Sequence, residues 1–450
     1  MGTRASRPPT SARPRWRTDG HTGHRSIGRL RSDEETKLKR RGRGMVRLGR
    51  SRGRRTGLLL AATLVALLLA ATQAAAAAMR DLGTLGGANS SGAAINSLGQ
   101  VTGSAATASG DDHPFRWTSR GGMQDLGTLG GADGAGRVIN DLGQIAGISQ
   151  TANGDAYHAF RWTAFGGMHD LGTLGGAASY VGPPPGAEGN SLFAMNRLGQ
   201  IAGTSQTADG SYHAFRWTPL AGMRDLGTLG GANSYGISIN DLGQVTGYSE
   251  TADGSYHAFR WTRSGGMQDL GTFGGATSYG EAIDDLGQVV GEAQTAGGSY
   301  NAFRWTPSGG LQDLGTLGEP TSYGEAINDF GDVTGFVEQA EVETAFKWTP
   351  SGGMQALGTP QDLSTLPGLP SSFGVAINDL GQVAGNVFAD FGEVERAFRW
   401  TAGGGTQDLG TLDPANSLAR SEAGSINIFG EVTGSAETAS GSQHAFLWSP

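Results

Sequence analysis

From residue 79 onward, short alternating runs of apolar and polar residues are broken by glycine-rich turns, and the pattern repeats. The segment 276 to 319 shows it well. SYGEAID reads as a first strand, and the DLG that follows as a tight turn whose Gly287 supplies a left-handed residue. GQVVGEAQT is a second strand, with Gly291 where a side chain would obstruct packing or where a bulge is needed. The polar loop TAGGSY leads to a third strand, NAFRWT, and a Pro-Ser-Gly-Gly hairpin leads to a fourth, LQDLGTL. In the third strand Phe303 and Trp305 are two residues apart, so they share one face and fill the space between neighbouring units.

Two markers count the units. Phe-Arg-Trp-Thr or a close variant begins at Phe115, Phe160, Phe215, Phe259, Phe303, Phe346, Phe398 and Phe446. Asp-Leu-Gly-Thr begins at Asp81, Asp125, Asp170, Asp225, Asp269, Asp313 and Asp408, with Ala356 opening a degraded copy. A four-stranded unit of this length cannot bury its own apolar face, so it must stack on its neighbours. The ends of the body say how the stack finishes. It opens with a lone fourth strand, Met79 to Leu85, and closes with a third strand, His444 to Ser449, that lacks its fourth. Pairing those ends closes a ring and removes two exposed strand edges. The expected fold is therefore all-β: an eight-bladed β-propeller of four-stranded blades over 79–450, closed by the N-terminal strand completing the last blade. An open β-solenoid is the competing architecture.

Composition changes the picture upstream. Residues 1–57 carry 18 Lys or Arg against 4 Asp or Glu, whereas 58–450 carry 15 basic and 37 acidic residues. The acidic body argues against a nucleic-acid track, which needs clustered cations. The basic leader runs into the apolar stretch Leu58 to Ala71 and then into alanines ending at Ala78, the order of an export signal with cleavage near Ala76 or Ala78. Met45 is an alternative start that would make 1–44 a mis-called extension, and Arg54-Arg55 is a twin-arginine pair. An uncleaved membrane anchor over 58–78 is the other reading. After cleavage no further membrane span is expected, and the product is a secreted, extracellular monomer. The 78 glycines fit a turn-rich fold, and the absence of cysteine excludes disulfides, thiol catalysis and thiolate metal sites.

The residues resemble a known family. His-Ala-Phe at His158, His213, His257 and His444, the AIN-x-x-GQV-x-G segment and DLGTLGG are similar to the HAF repeat of extracellular bacterial proteins. The likeness covers nearly all of 79–450 and implies secretion and a propeller-like repeat, but no biochemical activity. It departs at Asn301, Thr344 and Arg396, which replace the histidine, and at Pro114 after His113. The strand order also resembles a kelch blade, an analogy of architecture.

Recurring residues are most simply scaffold, so function is sought where units differ. The turns between strands one and two and between strands three and four keep their lengths, and their shared face reads as structural. The opposite face carries the fourth-to-first loops, enlarged at 176–192, 359–372 and 413–423, and the divergent second-to-third loops FVEQAEVET and NVFADFGEVER. Variable loops on a rigid scaffold are the usual place for recognition. Tyr235, Tyr279, Tyr323 and Phe373 enter the first strands there, with Tyr212, Tyr256 and Tyr300 at the starts of third strands. They either stack on a sugar or anchor a protein partner, or plug gaps between blades. The innermost strand has one variable position, held by Ala93, Arg137, Phe193, Ile237, Glu281, Glu325, Val375 and Gly424. Glu281 and Glu325 are either a like-charged acid-base pair near the axis or solvated carboxylates at the channel mouth. The histidines lie too far from the axis to share a metal and are assigned to hydrogen bonds between blades. GRSRG at 49–53 matches the serine-hydrolase elbow pattern only inside the leader, and no cofactor signature or metalloprotease motif is present.

The expectation is a non-catalytic exported propeller that binds a glycan or an envelope or extracellular protein on its variable-loop face. The alternative is a carbohydrate-active hydrolase or lyase working at the axial depression.

Overall fold

A computed structural model describes residues 78–450 except 155, 186, 188–193, 340–341, 361–370 and 390–393. The leader, signal-sequence and start-site readings, Phe193, part of the loop at 176–192 and most of the loop at 359–372 lie outside the described residues.

Eight four-stranded antiparallel sheets follow one another around a ring, seven of them with their strands in chain order. The blade over 274–313 is typical, with strands Gly274–Ile283, Val289–Thr295, Tyr300–Thr306 and Gly310–Asp313. The last blade takes its fourth strand from the other end of the chain: Ala78–Asp81 pairs antiparallel with Gln443–Ser449, Ala78 opposite Ser449 and Asp81 opposite Phe446. The clasp expected from the two chain ends is therefore the closure observed.

Glycine is required at two places in each blade. Gly287 has φ of 76°, as its turn demands. At Gly291 an added Cβ would lie 1.9 Å from the carbonyl oxygen of Tyr279, and the facing strand is irregular between Gly280 and Ala282.

The core is a series of seams between blades. Each Phe of the third strand is completely buried and each Trp nearly so. Phe303 and Trp305 pack with Ala258 and Leu270 of the preceding blade. Over each Trp stands the cation of the preceding blade, as with Arg260 at 5.5 Å from the Trp305 ring centroid. At the closing seam Leu447 takes that arginine's place in the motif, and Arg80 of the clasp strand covers Trp117 at 4.9 Å instead.

A belt of carboxamides ties the blades together near the axis. Asn96 Nδ2 donates to the carbonyl of Asn140 at 2.9 Å, Asn240 to that of Asp284 at 2.7 Å, and Asn427 to that of Asn96 at 3.1 Å, which carries the belt across the closure. One place in the belt is Asp284, a carboxylate that has no amide hydrogens to donate.

The histidines correct the sequence reading. Their Nδ1 bonds run within a blade, from third strand to fourth: His257 to Asp269 at 2.9 Å, and His444 to Asp81 of the clasp at 2.9 Å. His158 adds a bond to the next blade through Nε2, 3.2 Å from the carbonyl of Ala177. The physical reason is register. The Asp Oδ1 already accepts the N–H of the glycine two residues on, and the His lies directly within reach on the adjacent strand, as for Gly271 and Asp269 at 2.7 Å. Asn301 keeps this bond to Asp313 at 2.8 Å, and where Thr344 replaces the histidine the aspartate has become Ala356.

Candidate ligand site at the loop-face mouth

Antiparallel strand order puts the second-to-third and fourth-to-first loops on one face of the ring. On that side, the residue before the first-strand partner of the second-strand glycine stands opposite the residue after that glycine. These two facing positions shape the channel mouth. They hold Tyr235 and Tyr248 in one blade and Tyr323 and Phe336 in another, but Ser91 and Ser104, or Glu422 and Ser435, elsewhere. One side of the mouth is thus filled with rings and the other is left open.

The rings touch in sequence. Tyr212 stacks near Tyr235 with centroids 6.5 Å apart, and Tyr235 meets Tyr248 at 4.8 Å. Tyr248 meets Tyr279 edge-on at 5.0 Å, and Tyr279 reaches Tyr300 at 6.4 Å. Tyr300 leads to Tyr323 at 6.2 Å, Tyr323 to Phe336 at 4.8 Å, and Phe336 to Phe373 at 6.3 Å. Phe373 stacks on Phe388 at 5.3 Å. All of these except the buried Tyr248 are half-buried, so the rings pack on one another and keep part of their surface exposed. Burial together with neighbouring Tyr256 pushes the Tyr235 hydroxyl well above its ordinary value, and burial also raises Tyr323. Both remain neutral hydrogen-bonding groups at neutral pH.

Where the arc ends, a cavity of about 520 Å³ opens. Phe336 and Phe373 form its aromatic wall, and Arg137, Glu325, Glu343 and Glu422 supply its charge. The protein mass around these groups disfavours ionisation: desolvation lowers the Arg137 pKa and raises those of Glu343 and Glu422. Glu395, beside Glu422, is pushed up to about 7, first by burial and then by repulsion from Glu422, with Arg420 opposing.

The structure thus brings Tyr235, Tyr279, Tyr323 and Phe373 into one continuous arc and places Glu325 in the cavity at its end. Glu281, equivalent in its blade to Glu325, is buried at 5% exposure and is not among the residues lining that cavity. Sequence reasoning missed Tyr248, Phe336 and Phe388, which alternate with inward residues of the second strand, and the carboxylates Glu343, Glu395 and Glu422. The available signal was the residue after the second-strand glycine, aromatic at Tyr248 and Phe336 and small or polar in other blades.

No family model matches the chain, and no curated protein does. Solved structures do. The β-propeller domain of the Trilobed protease from Pyrococcus furiosus is 10% identical, with 80% of this chain and 95% of that one covered at a TM-score of 0.42. The BP39L lectin from Burkholderia pseudomallei is 10% identical, with 72% and 98% covered and a TM-score of 0.39. TolB from Acinetobacter baumannii is 12% identical, with 57% of this chain and 63% of the TolB chain covered and a TM-score of 0.36. At this distance the likenesses carry no inference about this chain, whose fold stands on its own strand order.

Proposed function

We propose that the protein is an exported, non-catalytic binding module that takes a glycan or an extracellular protein at its loop-face mouth. The observation that carries this reading is the unbroken arc from Tyr212 to Phe388 ending at the cavity bounded by Arg137, Glu325 and Glu422. Ring faces stack on the apolar faces of sugars or on a partner's side chains, and the charged groups orient hydroxyls or peptide polar groups. Such an arc can also serve only as packing, and a binding assay separates the two uses. Export rests on the basic-apolar-alanine leader, and the HAF-repeat likeness supports the same placement.

The test is a glycan array and pull-down from envelope fractions, followed by titration of any ligand against Phe373→Ala and Glu325→Gln. The expected result is binding that weakens at least about tenfold in these variants. Absence of any ligand, or a ligand indifferent to both substitutions, would refute the reading.

One observation favours a second reading, a carbohydrate-active hydrolase or lyase. Glu395, with its pKa near 7, lies beside Glu422, and a carboxyl that stays protonated near neutrality is what a general acid requires. Polysaccharide turnover abolished by Glu395→Gln or Glu422→Gln would replace the binding reading with this one.

A further inference from the structure

The face opposite the candidate site carries a feature that the scaffold does not use. In every blade the turn between strands one and two has a Leu or Phe after its second residue, from Leu98 round to Phe429. All eight are 61% to 70% exposed, while the asparagines of the same turns are buried. The hairpins between strands three and four lie on this face too, and two of them present fully exposed Phe165 and Leu220. Among the described residues, ten of the twelve exposed large apolar side chains therefore stand on this one face. The turn needs its Asn and Gly, and nothing in its geometry calls for a large apolar tip.

Ring repetition sets these tips on a circle around the axis. A helix or peptide would cover one sector of such a circle, whereas a flat surface meets all of it. Charge chooses between flat surfaces. Inside the circle, at the mouth of an axial cavity of about 430 Å³, stand Asp141, Asp241, Asp285, Asp329 and Asp379, with Arg197 bonded to Asp241 at 3.1 Å. A second copy placed face to face would bring two such acidic rings together, and an anionic membrane would be repelled by the ring. A zwitterionic bilayer presents its ammonium groups outermost, to the aspartates, and its phosphates to the exposed Arg120 and Arg263 of the rim hairpins. The chain also enters the ring here. Ala78 pairs with Ser449 at this end of the clasp strand, so the first described residue of the ring lies on this face.

We infer that this face is a docking surface for a zwitterionic lipid bilayer, with the Leu and Phe crown entering the interface and the loop-face site turned away from it. The inference is independent of what the loop face binds.

All the described strands, the clasp included, lie within 78–450, so a chain from Thr72 to Pro450 keeps the complete ring without the apolar leader. It is sedimented with vesicles of phosphatidylcholine and phosphatidylethanolamine in equal parts, and with vesicles in which phosphatidylglycerol replaces half the lipid. The expected result is binding to the first, weakened on the second, and reduced roughly tenfold or more in L142S/L242S/L286S/F330S. That variant should unfold at the wild-type temperature, and Phe336→Ala on the other face should bind vesicles normally. The inference is overturned by no binding to zwitterionic vesicles, by binding the serine variant retains, or by preference for the anionic vesicles. It is equally overturned by a concentration-dependent dimer in analytical ultracentrifugation that the serine variant abolishes, which would make the face an interface between copies.

Discussion

At the crown face the blades repeat one device: an asparagine, replaced once by Asp284, reaches into the next blade, an aspartate or its substitute follows, and a Leu or Phe points outward. At the loop face, register-equivalent positions hold Tyr235 in one blade, Ser91 in another and Glu422 in a third. Repetition at the first face serves the ring, because every seam poses the same packing problem. Divergence at the second makes a mouth that is aromatic on one side and open and charged on the other. Stability should therefore respond most to substitutions at crown-face turns, and ligand recognition to those at the loop-face mouth.

The strongest challenge to that contrast is Asn240→Ala. Asn240 Nδ2 donates to Gln244 Oε1 at 3.0 Å and to the Asp284 carbonyl at 2.7 Å, and its Oδ1 accepts from Gln244 N at 2.9 Å. Truncation leaves buried groups in two blades unsatisfied and should cost about 3 kcal/mol, read as a lower urea midpoint. A cost as small as that of an ordinary surface substitution would show that the belt does not hold the seams.

Asp284→Asn probes the same belt in the opposite direction. In the native chain Asp284 accepts from Gln288 Nε2, which leaves Gln288 Oε1 buried with no partner. With asparagine, Gln288 can turn its Oε1 toward the new amide, as Gln244 does, and the amide can reach the carbonyl of Asn328. Burial lifts the Asp284 carboxyl from 3.8 to about 6, despite bonds from Gln288 and Leu286 that favour the charged form. A raised carboxyl pKa stabilises the fold fully below the unfolded value, and that stability is lost as pH rises through the folded one. The native ring should therefore lose stability between about pH 4 and 6 through this group. The variant should lack that slope and be about 1 kcal/mol more stable at pH 7. Urea midpoints for both proteins at the two ends of the window check the sign.

The sequence made the scaffold legible because its energetic units are short and periodic. Phe303 with Trp305 marks a seam, the Asp-Leu-Gly-Thr copies count the outer strands, and the unmatched ends at Met79 and His444 specify the clasp. The arc was half legible. Tyr235, Tyr279, Tyr323 and Phe373 stand out by period, but Phe336 and Tyr248 hide in second strands, where an aromatic reads as ordinary core. Glu395 and Glu422 come together only through the packing of neighbouring blades. The histidine bonds were misplaced because adjacency of third and fourth strands fixes His257 beside Asp269 within one sheet, a matter of register and not of motif. The crown was hidden for another reason: Leu142 in a turn looks like a core plug until its exposure is known.

The smallest expected effect belongs to the loop face. Glu395 is half-buried, and its carboxyl rises from 4.5 to about 7 through burial and the nearby Glu422. The sign matches that of Asp284: stability present below about pH 4.5 is lost as pH rises through 7. Solvent reaches this carboxyl, so the penalty is screened to below about 1 kcal/mol. Glu395→Gln should flatten that shallow slope between about pH 4.5 and 7, while leaving the ring's stability at the acid end of that window unchanged. Urea titrations of the native and variant chains across the window measure it. If Glu395→Gln moved stability as much as Asn240→Ala does, the mouth would belong to the load of the ring, and the division between a structural and a recognition face would fall.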